Sequence, residues 1–289
     1  VKAKTRPPLT KTRQAWAASR GGATFRGQPL NYNAAVEARY RDSLSQMIRR
    51  MQHETLAAMR KLETIAGDAT VAMDVSLASQ ARILTNALRA KFQAAFNRQA
   101  QGLAERFARE TEAASRGSLH ASLKELSGGI SLKTSVLPPP VREAVKAGIT
   151  ENVNLIRSIP EQYFQRLQGS VMRNIQRGDG TAGILRTVEA LGLVTENRAA
   201  LIARDQTSKA TTALNAARMR ALNVRKFEWL HSGGGKEPRK LHEEMSGQVY
   251  DLDDPPVIDD KTGERGLPGQ LINCRCRMVP VVDYGEPDE

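Results

Sequence analysis

The chain has 289 residues, enough for one large domain or two ordinary ones, and its hydrophobic content of 40% includes only 4% aromatic residues. Alanine supplies much of the apolar share, which favours helices packed through small side chains over an aromatic-rich β core. The formal net charge of +12 has two readings, nucleic acid or an acidic protein surface as partner, or plain solubility with a sticky tail, and no run approaches the roughly 18 apolar residues of a membrane span.

Segment 1–33 carries Lys2, Lys4, Arg6, Lys11, Arg13, Arg20 and Arg26 without a single acid, among Pro7, Pro8, Gly21, Gly22, Gly27 and Pro29. Such a composition predicts an extended basic arm that orders only on a partner. Its lack of an apolar run predicts no secretory signal. From 34 to 126 the pattern is helical. Val36, Tyr40, Leu44, Met47, Ile48 and Met51 recur at helical spacing, and a second stripe runs from Val71 and Val75 through Ile83, Leu88, Phe92, Phe96, Leu103 and Phe107. The expectation is a long helical hairpin over 34–137, broken at Gly67-Asp68 and interrupted near Gly102. The arginines between the stripes are expected to be ordinary solvated faces unless they align.

Gly128-Gly129 and Pro138-Pro139-Pro140 mark the clearest boundary, opening a helical linker region over 138–194. There the sequence predicts a helix over 141–156, a restart at Pro160, a turn at Arg177-Gly178-Asp179-Gly180, and a short helix stopped by Gly192. A long helix follows from Thr195, with a narrow face of Leu201, Ile202, Ala210, Ala213, Leu214 and Ala217. Asp205, Gln206 and Lys209 lie about a turn apart on it, as a hydrogen-bonded network or part of a site. Alternation over 224–231 and over 271–282 then predicts two paired strands, with a short helix over 238–245 and an acidic loop between them. The fold class is α+β, mostly α, with long helices forming the body and a small C-terminal sheet. Domain 195–283 is followed by an acidic tail, 284–289.

Gly233-Gly234-Gly235-Lys236 fails as a phosphate-binding loop, because Leu230 stands where its first glycine belongs and Glu237 follows the lysine. The two cysteines, Cys274 and Cys276, form no disulfide framework, so a reducing compartment is expected. On a strand they would share one face, and His231 and His242 could complete a zinc tetrahedron. The alternative is two small buried cysteines beneath a loop, with His242 hydrogen-bonded to backbone. Structural zinc is thus a candidate and no cofactor is assigned. No catalytic residue is assigned either: Cys274 with His242 lacks an orienting third group, and Asp253, Asp254, Asp259 and Asp260 read as a rigid acidic turn before a two-metal nuclease site.

The C-terminal third, with Ala203-Arg204-Asp205-Gln206, Trp229, Arg239-x-x-His242, Gly247, Pro268-Gly269 and Asn273-Cys274-Arg275-Cys276 in order, resembles the phage Mu F-like minor head protein family, also called head morphogenesis proteins. Over roughly 195–282 the resemblance implies a non-enzymatic virion component, present in few copies near the portal vertex inside the head and made in the host cytoplasm. Portal protein, major capsid or scaffold proteins and packaged phage DNA are the implied partners, and genome packaging or ejection the implied process. Arg204, Asp205, Trp229, Arg239, His242, Gly247, Asn273, Cys274, Arg275 and Cys276 match the family's positions. The Gly-Gly-Gly-Lys-Glu loop departs from an Asp that the family commonly carries there, and too few residues follow Val282 for the toxin domain of some relatives. The other readings are a zinc-dependent enzyme acting on nucleic acid and a free DNA-binding adaptor.

Overall fold

The computed structural model describes residues 24–67, 77–126, 138–233 and 237–283. Their elements are β1 (Thr24–Arg26), α1 (Ala34–Gly67), α2 (Leu77–Leu126), α3 (Pro139–Arg177), α4 (Gly180–Ala221), β2 (Lys226–Leu230), α5 (Lys240–Glu244), β3 (Val249–Asp251) and β4 (Arg277–Asp283). The fold is α+β and mostly helical, and no described helix is long and apolar enough to cross a membrane. Lys2, Lys4, Arg6, Lys11, Arg13 and Arg20, the stripe residues Val71 and Val75, Gly128-Gly129, Gly234 to Lys236 and the acidic tail lie outside the described residues.

Two compact units share the chain. One comprises Ala34–Glu110 and Lys146–Gln206; the other comprises Val1–Asn33, Thr111–Val145 and Thr207–Glu289. One boundary, between Asn33 and Ala34, lies just before α1, and the other three fall inside α2, α3 and α4. Contact partners many residues apart define a compact unit, and local composition carries no record of them.

In the first unit α1 and α2 are antiparallel. Arg39 pairs with Glu110, Tyr40 stacks on Phe107 and Glu54 pairs with Lys91, so partner numbers fall on one helix as they rise on the other. A buried polar chain joins three helices: Tyr40 Oη donates to Asn152 Oδ1 (2.8 Å), Asn152 Nδ2 to Gln206 Oε1 (3.1 Å) and Gln206 Nε2 to Glu151 Oε1 (2.8 Å). Gln206 is therefore a hydrogen-bonded network residue. Arg39, Arg49, Arg50, Arg89 and Lys91 form ion pairs with glutamates, as solvated faces do.

Three predicted breaks are absent. α2 runs through Gly102, α3 through Pro160 and α4 through Gly192. Propensity is a weak term, about 1 kcal/mol for glycine and 3 for proline, and packing of the surrounding turns outweighs it: Ile156, Ile159, Tyr163, Phe164 and Leu167 around Pro160 are all buried. A side chain at Gly192 would collide with Gln52, whose carboxamide lies 2.1 Å from an ideal Cβ position, so this glycine admits α1 rather than ending α4. Ile83, placed in the apolar stripe by its spacing, is exposed.

The second unit holds a four-stranded antiparallel sheet in the order β1-β4-β2-β3. β2 alternates as predicted, with Phe227 and Trp229 fully buried, and it pairs with β4 through Trp229↔Met278 and Phe227↔Pro280. The core joins these residues to Leu119 and Leu123 of α2 and to Ala216 and Met219 of α4. Arg218 is buried there, ion-paired to Glu112 and donating to Ser115 Oγ at 2.7 Å.

The last ten residues of the predicted arm are structural. β1 pairs with β4, Phe25 and Leu30 enter the core, and Arg26 is ion-paired to Glu228 instead of being free for a partner. Thr24-Phe25-Arg26, with one β-branched and one aromatic residue, is too short to read as a strand beside so many glycines, prolines and cations. Deleting 1–33 is accordingly expected to destabilise this unit by several kcal/mol, since losing one buried Phe or Leu side chain costs about 2–5 kcal/mol, whereas deleting 1–23 removes none of these contacts. Denaturant unfolding of the two truncations checks the difference.

Candidate functional site

The family-like residues of the second unit converge on one buried cluster. α5 is a single turn whose N-terminal flank, Arg239, reaches across to the carbonyl of Ile272 (3.1 Å). His242, three residues on, turns inward and is buried. Its ring stands edge-on to Trp229, with centroids 5.0 Å apart. On one side Nε2 lies 2.9 Å from the carbonyl oxygen of Ile258; on the other, Nδ1 lies 3.5 Å from Cys274 Sγ and 3.7 Å from Cys276 Sγ.

The two cysteines are buried as expected, but on a segment without regular structure that precedes β4 rather than on the strand. Their shared orientation survives, since both sulfurs face the ring of His242. The turn before them places Asn273 at φ 60°, a left-handed position that asparagine tolerates well. Two side chains of α4 hold the segment from the other side: Ser208 Oγ donates to the carbonyl of Cys274 (3.3 Å) and Thr212 Oγ1 to that of Pro268 (2.7 Å). Neither was singled out in the sequence, where both read as filler on an alanine-rich helix. Gly247, at φ 84°, closes the turn from α5 to β3, its N–H bonded to the carbonyl of Trp229 (2.8 Å).

His231 does not join. Its Nδ1 accepts from the Gly233 N–H (3.3 Å), and its own backbone N–H donates to Ser246 Oγ (3.1 Å), so it is a turn residue beyond β2. Among the described residues, His242, Cys274 and Cys276 form the one group of three such side chains whose ligand atoms all lie within 4.8 Å of one another. The aspartates do not converge. Asp253 is ion-paired to Arg220 and Arg225, Asp254 to Arg265, and Asp259 Oδ1 accepts from the Lys261 N–H (2.9 Å). Asp253 and Asp254 are thus paired to arginines, and no aspartate belongs to the group of potential metal ligands among the described residues. Arg204 and Asp205 lie on the part of α4 that belongs to the first unit, Asp205 buried.

Electrostatics couples the cluster. The hydrogen bond from Cys276 pulls the Cys274 thiol far below the usual thiol range, burial opposes this, and His242 assists. Cys276 is pushed up by the Cys274 bond and by burial, so one thiolate is favoured and the pair shares a proton. For His242, burial disfavours the imidazolium, but the bond and charge of Cys274 and the Ile258 carbonyl overcome it and raise the ring's affinity for protons. Trp229 Nε1, fully buried, has no oxygen or nitrogen partner among the described residues and is one of the groups favouring a thiolate at Cys276.

Gly269 tests how tightly the loop is held. It sits at φ 88°, and a Cβ there would lie 2.5 Å from Ser208 Oγ and 3.0 Å from Thr212 Oγ1. Gly269→Ala is expected to cost about 1–3 kcal/mol through left-handed strain and overpacking, measured as a lower denaturant midpoint.

Comparison with known proteins places this geometry. The chain is 30% identical over 263 residues to an uncharacterized protein of Haemophilus influenzae, covering 90% of this chain and 56% of that relative. It thus spans little more than half the relative's length. No solved structure matches. Residues 165–279 match the family described as Phage Mu protein F like protein, a range that contains Trp229, the Arg239-x-x-His242 turn and the two cysteines. The resemblance read in the sequence is thereby matched by a family model over residues 165–279.

Proposed function

We propose that this chain is a phage minor head protein that serves head morphogenesis by binding rather than by catalysis, with the portal vertex, the inner capsid or scaffold and packaged DNA as its contacts. The family match over 165–279 carries the reading. The buried thiols and the arginine-paired Asp253 and Asp254 suit a structural module better than a substrate cleft.

Contact with DNA would be through phosphate, and therefore independent of base sequence and sensitive to salt. The net charge of +12 supports it. So does a groove of about 590 Å³ between α1 and α2, lined by Arg50, Lys91, Arg98 and Arg106 with Glu54 as its acid. Glu54 pairs with both Arg50 and Lys91, one carboxylate shared between two cations, and Arg98 and Arg106 are the cations of the lining that it does not hold. Arg106 also donates to Ser43 Oγ (3.2 Å), which presents it along the groove.

Two measurements test the proposal. Mass spectrometry of purified particles should find the chain at a few copies per portal, and its absence from particles would overturn the virion assignment. Titration of duplex DNA against salt should show a steep slope for the intact chain. For the Arg98→Glu, Arg106→Glu double variant the slope should be shallower by about 2, close to 0.9 per lost phosphate contact. An unchanged slope removes the groove as a DNA surface.

A further inference from the structure

We propose that His242 Nδ1, Cys274 Sγ and Cys276 Sγ hold one zinc ion, with water in its fourth coordination place. The claim concerns the chemistry of the module itself and stands whether or not the chain is found in virions.

Distance is the first argument. Zinc takes thiolate at about 2.3 Å and imidazole nitrogen at about 2.0–2.1 Å in a tetrahedron, which separates sulfur from nitrogen by about 3.5–3.6 Å. The two sulfur–nitrogen separations here are 3.5 and 3.7 Å, and all three ligand atoms fall within 4.8 Å of one another.

The tautomer is the second. A carbonyl oxygen only accepts, so the Ile258 contact at 2.9 Å places the proton of the neutral ring on Nε2. The Nδ1 lone pair is then directed at the two sulfurs. A backbone carbonyl fixing the remote nitrogen is the arrangement that zinc-bound histidines use.

Charge is the third argument. Two thiolates, one neutral imidazole and Zn²⁺ sum to zero, which suits a site within an apolar core that includes Trp229, Leu267 and Met278. Binding releases the thiol protons to solvent, so the charge balance needs no further partner. The ligands are also held in place by contacts that do not involve the metal: Arg239 on the Ile272 carbonyl, Ser208 on the Cys274 carbonyl and the left-handed turn at Asn273. His231 is excluded as the fourth ligand by its own turn, and no other described His, Cys, Asp or Glu joins the group.

Competing uses of the same atoms predict different things. A Cys274–Cys276 disulfide would bring the sulfurs to about 2.05 Å and consume both ligands. A nucleophilic thiol needs access and an orienting third group, whereas these thiols are 5% and 6% exposed and the far nitrogen of His242 meets a carbonyl.

The experiment uses the purified full chain, loaded with zinc, desalted and analysed for metal. About one zinc per chain is expected. Cobalt(II) in its place should give thiolate-to-metal charge-transfer absorption and the intense visible bands of a tetrahedral site. Cys274→Ser with Cys276→Ser should lose both signals, and His231→Ala should keep both. In case the serine variant fails to fold, His242→Cys supplies a third thiolate and should retain one metal per chain with a spectrum shifted toward that of a three-thiolate site. Chelation should lower the unfolding midpoint of the loaded chain by on the order of 5 °C. Substoichiometric zinc in a chain whose two thiols titrate as free, recovery of the pair as a disulfide under reducing purification, or zinc retained in the folded double-serine variant would each overturn the proposal.

Discussion

Long irregular backbone has to be held in place wherever it is buried, and that constraint governs the sheet-bearing unit. Between β3 and β4 lie 25 residues, 252–276, with no described strand or helix of their own beyond one isolated bridge between Val257 and Arg265. Buried carbonyls in such a stretch need donors, and side chains from the neighbouring elements bond to buried and exposed carbonyls alike. Arg220 reaches the carbonyl of Leu252, His242 that of Ile258, Thr212 that of Pro268, Arg239 that of Ile272 and Ser208 that of Cys274. Each donor stands on α4, on α5 or at the flank of α5. The loop is therefore organised from outside, which explains why family-like residues such as Arg239 and His242 surround it.

One consequence is that structural and chemical roles overlap at His242. The ring braces the loop through Nε2 and faces two thiols through Nδ1, and both follow from one orientation packed against Trp229. The same economy is visible in the helical unit, where Asn152 both accepts from Tyr40 and donates to Gln206. Buried polar groups with several satisfied bonds specify a single packing more sharply than apolar contacts alone. For a protein proposed to act by fitting other components of a particle, rigidity of this kind is the relevant property.

Much of this was legible in advance where the signal was periodic and local. The helical body, the alternation of Phe227 and Trp229, the pairing of their strand with the last one and the rejection of a phosphate loop needed only spacing. The cluster was half legible: Cys274, Cys276 and His242 were named from residue type, but His231 was drawn in for the same reason and the fold leaves it in a turn. The cysteines were assigned to a strand that begins one residue beyond Cys276. β1 and β3, at three residues each, were missed because strands that short have no period to detect.

The class of each long segment, the basic character of the chain and the residue types available for a site therefore follow from the order of residues without reference to the fold. A repeating pattern of apolar side chains is a property of neighbours along the chain, and it is written there in full. Tertiary structure alone decided that Pro160, Gly102 and Gly192 interrupt nothing, that Arg26 is spent on Glu228, and that Ser208, Thr212 and the carbonyl of Ile258 complete the cluster. Those outcomes depend on partners tens to hundreds of residues distant. Packing energies of several kcal/mol there exceed the local preferences, about 1–3 kcal/mol, from which a sequence is read.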